Sequence, residues 1–285
     1  MKDIADMIVQ RAIAAIDSGR TTELMELMEI HPDLVNDRLQ NNANGYFKNP
    51  YLLWFVADNP IRIAQLPPNI MEVSRLLIKT VKSKAPDTYQ QQVDYTLVLV
   101  ASGSVPRECG VQLAMIDLLI DAGASPNSAM VALANGNVDA AQHLVDRGDE
   151  LTLAIAVGLE RTADVNHLAA SATNDEKLTA LATAAFYGKA NMVKRLLEMG
   201  VNPNGLPKGN SGFHSHATPL HQAVSSGSLA CVRLLVEAGA SLSATDKVYN
   251  GTPLGWADHM QSDASNDELK KRNYGLIKTF LQTAG

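Results

Sequence analysis

Four stretches of this 285-residue chain end alike, in a leucine-rich run closed by a glycine: IDLLIDAGASPN at 116–127, AQHLVDRGDEL at 141–151, VKRLLEMGVNPN at 193–204 and VRLLVEAGASLS at 232–243. Apolar residues three and four apart describe an amphipathic helix, and glycine reaches the left-handed conformation that stops one. One ending used four times means one structural unit used repeatedly, so the chain is read as a stack before it is read as globular domains. Ahead of two endings lies a shorter apolar helix, TPLHQAVSSG at 218–227 and TALATAAFYG at 179–188. The unit is helix, tight turn, helix, loop. Hydrophobic residues make up 46% and aromatics only 5%, a mix that favours closely packed helices of small side chains.

The string Thr218, Pro219, Leu220, His221 and Ala223, followed by Gly227, Leu234, Leu235, Gly239 and Ala240, resembles the ankyrin repeat, in a divergent, bacterial type. The resemblance implies an all-α ankyrin-repeat solenoid of about seven helix pairs with irregular, partly shortened β-hairpin fingers. Pro219 suits a first helical turn, because its missing N–H has no intrahelical partner there. Thr218 is placed to cap that helix. The resemblance further implies that the Thr218 hydroxyl meets the imidazole of His221, a scaffold role. A second copy starts at GTPLGWADHM, 251–260, with Gly255 in the slot of His221.

Spacing carries the irregularity. Gly123 to Gly148 is 25 residues, Gly148 to Gly200 is 52 and Gly200 to Gly239 is 39, against about 33 for a standard repeat. Fifty-two residues fit two shortened units, so a hidden repeat without a closing glycine is expected within 151–176. Fingers between 124 and 178 should be short, and the one at 205–217, GLPKGNSGFHSHA, enlarged. Upstream, 3–19 with 21–36 and 50–59 with 69–81 read as helix pairs, and a further first helix falls at 95–103, with SVPRECG as a loop before its partner at 111–122. The polar stretch 82–94 reads as a finger or a flexible join. The expected organisation is a single domain over 1–285, with a capping pair at 1–48, divergent shortened repeats at 49–177, the best-matching repeats at 178–250 and a C-terminal cap at 251–285.

Composition narrows the function classes. A net charge of −6 argues against a phosphate-backbone partner, because nonspecific nucleic-acid affinity comes from clustered Lys and Arg. No stretch approaches a membrane span, and the acidic start lacks the basic flank and unbroken apolar run of an export signal. Two cysteines, Cys109 and Cys231, suit a reduced, cytoplasmic protein. No phosphate loop, HExxH string or serine elbow occurs. His214 and His216 with His221 nearby form the one metal-like cluster, but structural zinc wants four ligands and none of the others is in sight. The expectation is a non-catalytic protein without cofactor or metal. An enzyme or metal-binding protein using the His214 and His216 region is the alternative.

In the ankyrin family the two positions before the inter-helix glycine, together with the finger tips, meet the partner. The resemblance carries this onto Phe186 and Tyr187, Ser225 and Ser226, Ala134 and Asn135, and, in the last copy, His259 with Met260. On the finger it points to Phe213, rimmed by Lys208, His214 and His216. The partner is expected to be another protein bound by a monomer, with Tyr187 and Phe186 weighted because aromatic side chains dominate interface hot spots. Trp54, Phe55 and Trp256 are further candidates for an exposed contact, against which stands the usual burial of a tryptophan on a helix of a capping repeat.

Overall fold

The computed structural model describes residues 2–40, 45–207, 215–264 and 266–284. The chain forms two compact units, residues 1–150 and residues 151–285. In the first, the helices are α1 (Lys2–Asp17), α2 (Thr21–Ile30), α3 (Asp33–Asn36), α4 (Ile70–Lys84), α5 (Pro86–Ser102), α6 (Ser104–Glu108), α7 (Gln112–Asp121), α8 (Ala129–Ala134) and α9 (Val138–Asp146), with 3-10 turns at Gly45–Phe47 and Leu52–Ala57. In the second they are α10 (Leu153–Gly158), α11 (Thr162–Ser171), α12 (Asn174–Phe186), α13 (Ala190–Glu198), α14 (Pro219–Ser225), α15 (Leu229–Glu237), α16 (Pro253–Asp263) and α17 (Glu268–Ala284).

Within the second unit the first helices pack in a row, α10 on α12, α12 on α14 and α14 on α16, while α13, α15 and α17 form a second row. The row is close because its facing side chains are small: Ala180, Ala182, Ala184 and Ala185 of α12 are all buried. The second-row helices are amphipathic. Met192, Val193 and Leu196 of α13 face the core, as a helix buries residues three and four apart. In the first unit the 3-10 turn at Leu52–Ala57, α5 and α8 form a row of their own, and α7 packs on α9.

Among the described residues there are seven α/α pairs and one 3-10/α pair, close to the expected seven. The hidden repeat is present as α10 and α11. Three readings are corrected. The stretch 82–94 is neither finger nor join, since it ends α4 and opens α5. Pro86 occupies the first turn of α5, and the amide of the fully buried Gln92 donates to the Val35 carbonyl at 2.9 Å. SVPRECG holds the short helix α6, which buries Val105 and Pro106. The run 50–59 is 3-10 and not α, stopped by Asp58 at φ 44°; the Asp58 carboxylate accepts the N–H of Arg62 and of Ala64, at 3.0 and 2.9 Å, and so turns the chain away. The connections at 122–128, 147–152 and 172–173 are short, and no strand occurs among the described residues.

Helix stops fall where the glycines predicted them, with Gly239 at φ 88°. In the hidden repeat, however, Glu160 stands at φ 55° where its counterpart Gly227 takes 69°. A side chain in this region is strained by roughly 1 kcal/mol. The pair between Lys189 Nζ and Glu160 Oε2, at 2.6 Å, is partly exposed and offsets little of that. Glu160→Gly is therefore expected to stabilise the second unit by about 0.5 kcal/mol, read as a higher urea midpoint at unchanged slope. A lower midpoint contradicts this.

Candidate functional site

One surface of the second unit is built on a single carboxylate. Aspartate readily accepts backbone N–H groups a few residues ahead, and Asp246 does so from a buried position. Its Oδ1 accepts from the N–H of Val248 and of Tyr249, at 2.9 and 2.6 Å. Its Oδ2 accepts from the Gly251 N–H at 2.8 Å and from Trp256 Nε1–H at 3.0 Å. Burial alone would raise this carboxyl, but the four donors outweigh it and hold it far below the usual carboxylate range. Asp246 is thus a fixed negative charge around which 246–251 closes, with Val248 and Tyr249 at 60% and 76% exposure on the tip.

His221 supports the turn from below. Its Nδ1 accepts from the Thr218 hydroxyl at 2.8 Å and the Thr218 N–H at 3.3 Å, and Nε2–H donates to the Gly251 carbonyl at 3.0 Å. The cap implied by the family resemblance is present. Burial is the main cause holding the His221 pKa below its ordinary value, so the ring is neutral. The Trp256 ring lies 5.1 Å from His221, and the indole is buried, as are Trp54 and Phe55.

Tyr249, Gly251, Gly255, Trp256, His259 and Met260 enclose an open, apolar groove of about 580 Å³. Met260 also borders a second groove of about 460 Å³, of mixed polar and apolar lining, with Ser225, Ser226, Asp263, Asp267, Lys270 and Tyr274 among its walls. The Tyr274 hydroxyl donates to the Ser225 carbonyl at 2.9 Å and fixes α17 against the end of α14.

The residues singled out from sequence distribute unevenly. His259 is exposed in the apolar groove, and Ser225 and Ser226 line the second one. The Ser226 hydroxyl is turned back to the Ala223 carbonyl at 2.8 Å. Phe186 and Tyr187 stack edge to face at 5.1 Å and are both half-buried, and burial pushes the Tyr187 hydroxyl up to about 12. His216 lies 5.9 Å from the Tyr249 ring and 6.1 Å from Trp256, with Nε2 3.9 Å from the Asp246 carboxylate. Ala134 and Asn135 belong to the first unit, where the Asn135 amide donates to the Val131 carbonyl at 2.9 Å. Lys208, Phe213 and His214, with most of the enlarged finger, lie outside the described residues. Sequence reasoning passed over Asp246, Tyr249 and Asp263; the signal for the first was an Asp four residues ahead of an Asn-Gly pair.

Cys231 is buried, and burial raises its thiol pKa; Cys109 is exposed. Among the described residues no three His, Cys, Asp or Glu side chains converge on a metal-sized space, and no helix is long and apolar enough to cross a membrane. Residues 129–246 match the family model for ankyrin repeats, in three copies. Two proteins of Arabidopsis thaliana are similar over short stretches. The potassium channel GORK is 40% identical over 74 residues, which is 26% of this chain and 8% of the channel. The potassium channel SKOR is 40% identical over 76 residues, which is 27% of this chain and 8% of the channel. The chain therefore spans a small fraction of either relative.

Proposed function

Since residues 129–246 carry ankyrin repeats, modules that generally bind other proteins, we propose that this chain is a non-catalytic adaptor, inhibitor or effector-type binder whose contact surface is the α16 groove with the 246–251 turn. The observation that carries the reading is the pairing of an open apolar groove with a tip whose backbone is already fixed by Asp246. A pre-ordered loop spends little conformational entropy on binding, and exposed apolar side chains on such a loop are where association gains most. Phe186, Tyr187, Ser225, Ser226, His216 and His259 belong to this surface or its margin in the same reading. Ala134 and Asn135 of the first unit, and Lys208, Phe213 and His214, are further contact residues. A cytoplasmic, monomeric protein fits the two cysteines and the net charge of −6.

The test is affinity capture from the source cell with mass spectrometry, comparing the native chain with Tyr249→Ala/His259→Ala. Both side chains are exposed, so the melting temperature should hold while a captured protein is lost. Capture of the same protein at the same yield by the variant contradicts the surface.

A further inference from the structure

Asp263 stands where helix chemistry disfavours it. It is the last residue of α16, a helix without a basic residue in its last turn, and a carboxylate at that end meets the negative pole of the helix dipole. Its side chain is exposed and has no ion pair or hydrogen bond among the described residues. The neighbouring acids are occupied: Asp258 pairs with Lys278 at 2.5 Å, and Asp267 pairs with Lys270 at 3.4 Å while accepting the Lys270 N–H at 3.0 Å. Local rules of this kind are broken chiefly at functional or strained positions.

Its place supplies the function. Met260 lines both grooves, so the apolar wall at Trp256 and the carboxylate of Asp263 lie on either side of one residue of α16. The two are seven residues apart, about 10 Å along a helix rising 1.5 Å per residue. An extended chain covers that distance in about three residues at roughly 3.3 Å each. Building on the binding surface proposed above, we propose that the occupant is an extended basic segment of a partner protein. It seats a bulky apolar side chain against Trp256 and Met260 and, three residues away, pairs a Lys or Arg with Asp263. The net charge of −6 favours a basic segment over a second copy of this chain or an anionic lipid surface.

The experiment uses the full chain and immobilised 12-residue peptides of a Gly/Ser host. Each holds one Leu or Phe, with one Arg walked from one to six positions away on either side, and the best peptides are titrated by fluorescence anisotropy. Binding is expected to peak at a spacing of three. Asp263→Lys should weaken the best peptide about tenfold and favour its Glu counterpart instead, as charge reversal across an interface does. The substitution removes an unfavourable dipole contact, so folding is not at risk. Affinity independent of the Arg position, no binding below about 1 mM, or an unchanged affinity with Asp263→Lys overturns the inference. So does concentration-dependent dimerisation that Asp263→Lys abolishes, which would make a second copy the occupant. If Tyr249→Ala/His259→Ala loses a captured partner that Asp263→Lys retains, the groove reading stands and the basic-segment inference fails. Should the double variant retain the partner, the groove reading itself fails.

Discussion

Asp246→Asn is expected to lower the melting temperature of the second unit by about 10 °C, the largest effect of any single isosteric change in it. The carboxylate satisfies four donors, three of them backbone N–H groups and one the indole of Trp256. Asparagine keeps one acceptor and points an NH₂ group at the donors that faced the other. Leaving buried donors unpaired costs on the order of 1–3 kcal/mol each, and partial rehydration of the turn brings the net to about 3 kcal/mol. For a unit of 135 residues, each kcal/mol moves the midpoint by roughly 3–5 °C. Calorimetry at pH 7 reads the shift. A change under about 2 °C would mean that the turn is held by something other than this carboxylate.

The second large effect is a loss of stability in mild acid. His221 is neutral in the fold because of burial, and its Nδ1 is committed as an acceptor to Thr218. Its folded pKa lies below the unfolded value of about 6.5, so the unfolded chain binds more protons in the window between them. The contribution is therefore complete above about pH 6.5 and is lost as pH falls through the folded pKa, at up to about 1.4 kcal/mol per pH unit. The groups facing the ring are Thr218, the Gly251 carbonyl, Trp256, His216 and Asp246. Protonation would set a ring N–H against the Thr218 donors. Urea titrations from pH 7.5 down to 5 should show the decline in the native chain. His221→Leu should be less stable by about 2–3 kcal/mol at pH 7 and lack that component of the slope. An equally steep decline in the variant assigns the acid sensitivity elsewhere.

What could be read from the sequence was local. Helix-closing glycines and leucine stripes each act within one turn of helix, so their spacing reveals them, whereas the Thr218–His221 cap was implied by the family resemblance. The hidden repeat at 151–176 was legible from arithmetic, although the left-handed Glu160 in it was not. Long-range partners defeated the rest. The polar run of α5 looked like a loop because its key buried residue, Gln92, finds its acceptor 57 positions away at Val35. Asp246 looked like any loop acid until four donors folded back onto it. Asp263 stands out only because Lys278 and Lys270 are committed to other carboxylates. The site itself was half legible. Family resemblance pointed to Ser225, Ser226 and His259, but the wall of Tyr249 and Trp256 depends on a turn whose shape is set by burial.

The central claim is that another protein docks on the α16 groove, and site-specific photocrosslinking tests it most directly. A benzophenone amino acid is placed at Met260, between the two grooves, and separately at the exposed Lys194 on α13. The chain is then irradiated in extract of its source cell. A discrete adduct from position 260 that position 194 does not give is the predicted result. Adducts of equal yield from both positions, or none from 260 while 194 reacts, would contradict it.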